Sequence, residues 1–78
     1  MNILVDNNSS LIKYQGGTYE LQIDNIRQYD NGILLRVICD LNMNIAIVYD
    51  VEEIPDFIGN KYLYTNGIVE INPDFVGA

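Results

Sequence analysis

The sequence predicts an all-β fold: a small antiparallel barrel or sandwich of six to eight short strands, finished by a C-terminal β-hairpin. Three observations predict it. Apolar residues recur with a period of two, as in Thr18-Tyr19-Glu20-Leu21-Gln22-Ile23-Asp24, where Tyr19, Leu21 and Ile23 share a face. β-branched and aromatic residues crowd these stretches, whereas alanine occurs only at positions 46 and 78. Turn residues interrupt the runs at short spacing, and no segment sustains a capped helical period.

The elements follow in order. A first strand lies near Asn2 to Asp6 and ends in Asn7-Asn8-Ser9-Ser10. Leu11 to Tyr14 forms a second, divided from the Tyr19 strand by Gln15-Gly16-Gly17. Asn31-Gly32 is a hairpin dipeptide, because asparagine and glycine tolerate the positive φ angles of a type I′ turn. A two-residue loop there sets Gln28 opposite Leu35, Ile26 opposite Val37 and Arg27 opposite Arg36. Opposed like charges are unfavourable unless something anionic lies between them. A three-residue loop with a bulge shifts the register and separates the two arginines, so both pairings stay open.

Ile33, Leu35, Val37 and Cys39 form one apolar row, and Ile45, Ile47, Tyr49 and Val51 form another beyond the looser turn Asn42-Met43-Asn44. Cys39, the single cysteine, reads as a small buried hydrophobe. In the acidic connector from Asp50 to Asp56, Pro55 removes a backbone donor, so sheet pairing lapses. After it, a two-residue loop at Asn66-Gly67 pairs Thr65 with Ile68, Tyr64 with Val69, Leu63 with Glu70 and Tyr62 with Ile71. One domain results, with a β body over 1–50, the acidic connector over 51–60, and the hairpin and tail over 61–78.

Composition narrows the chemistry. A chain of 78 residues is a single small domain, and one of this size buries only about 60% of the surface its unfolded form exposes. Its charge of −7 disfavours phosphate backbones and is compatible with a basic partner. Histidine is absent, which removes the commonest general base and metal ligand, and one cysteine makes no zinc site. Asp6-Asn8-Ser10 and Asp40-Asn42-Asn44 match the start of a calcium loop but lack its glycine and its closing glutamate, so they read as turns. Gly16-Gly17 precedes no lysine and no helix, and Glu52-Glu53 sits on a solvated connector. No catalytic, cofactor-binding or metal-ligating residue is assigned. No apolar run is long enough to span a membrane, and the start lacks a signal peptide's charge, so the expectation is synthesis in the cytoplasm.

The segment from about Val51 to Val76 carries Glu53-Ile54-Pro55, Lys61-Tyr62-Leu63-Tyr64, Asn66-Gly67 and Asn72-Pro73-Asp74-Phe75. In this it resembles the C-terminal part of small uncharacterised proteins encoded among phage and prophage tail, baseplate and fibre genes of Gram-positive bacteria. The resemblance implies a non-enzymatic structural component of a virion or phage-tail-like particle, whose partners are other particle proteins and copies of itself. Neither nucleic acid, membrane nor small-molecule substrate is expected. The residues expected to dock are Tyr62, Tyr64, Val69, Ile71 and Phe75, since a two-stranded hairpin with one apolar face must be covered. The alternative is a small acidic inhibitor, a phage counter-defence or immunity-type protein that occupies a basic surface. A sugar- or host-surface-binding role for the tyrosines is a third reading.

Overall fold

A computed structural model describes residues 1–76. It contains eight short strands: β1 (Asn2–Asp6), β2 (Ile12–Gln15), β3 (Thr18–Leu21), β4 (Ile26–Asp30), β5 (Ile33–Ile38), β6 (Ala46–Asp50), β7 (Tyr62–Thr65) and β8 (Ile68–Ile71). Every pairing is antiparallel, and the strands form three small sheets, β2-β1-β6, β3-β4-β5 and β7-β8. The sheets are not closed, so the barrel expected as one option gives way to a layered arrangement.

The first sheet is the middle layer. Ile3, Leu4 and Val5 are consecutive and all buried, because alternating side chains on β1 enter two different cores. Leu4 packs with Ile26, Ile38, Leu41 and Ala46, the core shared with the second sheet. Ile3 and Val5 pack with Ile12 and Ile54 under the C-terminal segment. The hairpin extends this layer: Leu11 bridges to Leu63, and Tyr64 N–H donates to Ser10 O at 2.9 Å. The connector is clamped by Gln15, whose Oε1 accepts from Ile54 N (2.7 Å) while its Nε2 donates to Ile54 O (3.1 Å).

Both Asn-Gly dipeptides form the expected turns, with positive φ at Asn31, Gly32, Asn66 and Gly67. The β7-β8 register is Tyr62↔Ile71, Leu63↔Glu70, Tyr64↔Val69 and Thr65↔Ile68, as the turn chemistry requires. At Asn31-Gly32 the loop keeps two residues, with Asp30 opposite Ile33. A bulge further in then sets Gln28 opposite Arg36 and Arg27 opposite Val37. The two arginines are thereby separated, without the longer loop that the bulged alternative assumed.

Two expectations fail for one reason. Cys39 is exposed, and so are Ile33, Leu35 and Val37 of its row. β5 is the last strand of its sheet, and the bulge at Leu35 breaks the alternation that defined the row, leaving Ile33 opposite Asp30 and Val37 opposite Arg27 on different faces. Ile23 is also exposed, since β3 stops at Leu21 and the chain turns, with Gln22 N–H donating to Asn25 O.

Candidate functional site

Three surfaces gather the candidate residues: the hairpin, β5, and a cleft between the two larger sheets. On the hairpin, Tyr62, Tyr64 and Val69 come together and cover the chain's own core of Ile3, Val5, Ile12 and Ile54. The Tyr64 ring lies 4.4 Å from that of Tyr49, and Tyr62 stacks on Phe57 at 6.3 Å. Ile71 sits opposite Tyr62 in register yet stays 68% exposed. Phe75 is half-buried in the following turn, its N–H donating to Asn72 O. The residues expected to dock therefore divide: three face inward, Ile71 faces solvent and Phe75 lies apart.

β5 presents the opposite case. Ile33, Leu34, Leu35 and Val37 are all exposed, between 46% and 68%, on a sheet edge. Leu34 pairs with Tyr29 and Val37 with Arg27, which puts both on the face turned away from the core. Leu34 and Val37 thus share the outer face, while Ile33, opposite Asp30, lies on the other.

The cleft, about 420 Å³, lies between β2, β4, β5 and the turn at Gly59-Asn60. Lys13 and Arg36 both line it, together with Gln28 and Asp40. Lys13 Nζ donates to Asn60 Oδ1 at 2.7 Å, and the Arg36 guanidinium sits 5.1 Å from the centre of the Tyr14 ring. Gln28 is buried at 3% exposure. Its Nε2 donates to Gly16 O (3.0 Å) and to Tyr19 Oη (3.3 Å), and its Oε1 has no partner. Burial pushes the Tyr19 phenol up to about 12, against the opposing pull of Arg36. No local pattern marks this cleft, because the four charged and amide residues lie 27 positions apart at their extremes and meet only through tertiary packing.

The calcium-like stretches are turns. Asp6 Oδ1 accepts from Asn8 N and Asn42 Oδ1 from Asn44 N, each at 2.9 Å, the side-chain-to-backbone bonds of Asx turns. Among the described residues, no three histidine, cysteine or acidic side chains gather to hold a metal. No family model matches this chain, and no curated protein or solved structure matches it either, so its function has to be read from these residues and their geometry.

Proposed function

We propose that this chain is a non-enzymatic assembly module, a component of a phage tail, baseplate, fibre or phage-tail-like particle that acts through protein–protein contacts. The observation that carries the contact is the exposed apolar strand β5, with Leu34 and Val37 on an uncovered sheet face. Surfaces of that kind mark interaction sites when they are contiguous and ringed by polar groups. The particle itself is suggested by the resemblance of the segment from Val51 to Val76. In this reading β5, rather than the inward face of the hairpin, meets other particle proteins or further copies, and Ile71 can add to the contact from the hairpin.

The test is a double substitution, Leu34→Thr with Val37→Thr. Stability should change by no more than about 0.5 kcal/mol for each exposed site, while incorporation into purified particles falls. Incorporation at the original stoichiometry with an intact fold would sink the assignment of β5.

A second reading, a small acidic inhibitor of a basic protein, is favoured by the connector, where Asp50, Glu52, Glu53 and Asp56 are all exposed. A free inhibitor would be absent from purified particles, whereas a component would be present at fixed copy number.

A further inference from the structure

We infer that the cleft between the two larger sheets binds a small carboxylate-bearing ligand with an N–H donor, of the size of an amino acid or a dipeptide. Two bulges build it. In the β1-β2 pair, Leu4 opposes Tyr14 and Val5 opposes Ile12, which leaves Lys13 as the extra, unpaired residue. The break in alternation lets the adjacent Lys13 and Tyr14 line the same cleft. In the β4-β5 pair the extra residue is Leu35, and the shift moves Arg36 from opposite Arg27 to opposite the inward-facing Gln28. A regular register would have turned Arg36 to the outer face of the sheet. Bulges are used in this way beside binding sites, where they re-aim a side chain.

The result is a concentration of positive charge where the chain can least supply it. The chain has four lysines and arginines against eleven acids, and two of the four share this cleft. Neither is neutralised by an ion pair: among the described residues the one ion pair joins the Met1 ammonium to Asp50. Asn60 holds Lys13, and Tyr14 backs Arg36, so both heads are positioned without being discharged. Asn60 does this from a left-handed φ of 71°. The neighbouring Gly59 lets the turn run close to β2, where a Cβ would lie 2.9 Å from Lys13 O.

The ligand's chemistry follows from the remaining groups. The Gln28 amide is fixed by its two Nε2 bonds and its Oε1 is enclosed away from solvent, so the ligand's N–H donor is set by Asp40 instead. Asp40 offers a place for an ammonium. Two cations against one carboxylate favour a monoanion, and the field of a −7 chain opposes a doubly charged phosphate. The Arg36 fork matches a carboxylate. The volume, about 420 Å³, lies toward the small end of ligand sites, and Tyr14 and Phe57 supply apolar walls.

Amide-resolved NMR tests this on the whole chain, with glycylglycine, glycylglycinamide and inorganic phosphate as separate titrants at fixed ionic strength. Glycylglycine should give saturable shifts at the Gln28 side-chain amide and at the Gly59 and Asn60 backbone, and the other two should not. Arg36→Gln and Lys13→Gln should each weaken binding by about tenfold, the loss of one charge-assisted contact. Lys13→Gln leaves the Tyr14 contact in place, so it decides the matter if Arg36→Gln disturbs the fold. The proposal is overturned by an absence of saturation with glycylglycine, by an equal response to the amide, which keeps the ammonium and lacks the carboxylate, by tighter binding of phosphate, or by unchanged affinity in a folded Lys13→Gln variant.

Discussion

Tyr62 and Tyr64 illustrate how a residue's face can be read from its turn while the surface that face meets is set elsewhere in the fold. Their alternation with Leu63 and their pairing with Ile71 and Val69 follow from the Asn66-Gly67 turn. What covers them follows from where the connector delivers the hairpin, and Ile54, buried and clamped by Gln15, is the residue that brings it over Ile3 and Val5. Each ring is thus part of the fold's own second core. Tyr62→Ser and Tyr64→Ser should therefore each cost about 2 kcal/mol in urea unfolding, the loss of a half-buried aromatic side chain and its contacts. Ile71→Ser, on an exposed residue of the same hairpin, should stay within about 0.5 kcal/mol. Equal effects at all three positions would mean that the rings do not cover the core. The contrast also keeps assembly defects separable from folding defects: a tyrosine variant that fails to assemble is expected to be a destabilised one.

Among the elements, the hairpins were legible in the sequence because their turns depend on backbone chemistry that asparagine and glycine disclose locally. The bulges at Lys13 and Leu35 were not, since neither position holds a residue type that demands one. Their cause lies across the sheets, in the burial of Gln28, Tyr14 and Leu4. For the same reason the two cations of the cleft were legible only as scattered charges. β5 was legible as a strand but not as an edge, because strand order is a tertiary outcome. Gly17 and Gly32 give a test at this scale. Both have positive φ, 70° and 77°, so alanine is strained at either. A Cβ at Gly32 meets nothing within 4 Å, whereas one at Gly17 would lie 2.0 Å from Tyr29 O, where β3 begins its pairing with β4. Gly32→Ala should cost about 1 kcal/mol, the left-handed penalty alone. Gly17→Ala should cost more than about 2 kcal/mol, because backbone must move as well. Thermal or urea unfolding of the two variants side by side checks this, and similar losses would contradict the close approach of Gly17 to β4.

For the molecule as a whole, charge and apolar surface act in opposite directions, and the balance gives a way to identify the partner. The −7 charge repels one copy from another, while β5 offers apolar area that favours contact. The edge is itself guarded: the bulge at Leu35 and the charge of Arg36 discourage open-ended strand pairing, so the outer face around Leu34 and Val37 is the surface left for docking. Salt separates the cases by sign. The Debye length falls from about 10 Å at 0.1 M to about 3 Å at 1 M, which screens repulsion between like-charged chains and strengthens apolar association by comparison. If β5 joins copies of this chain, sedimentation should detect more association as salt rises, and Leu34→Thr with Val37→Thr should abolish it. If the exposed acids of the connector instead hold a basic protein, the same rise in salt should weaken binding, and those two charge-neutral substitutions should leave it nearly unchanged. Association that weakens with salt yet is abolished by the β5 substitutions would fit neither arrangement, and it would require that β5 and the connector contact the same partner.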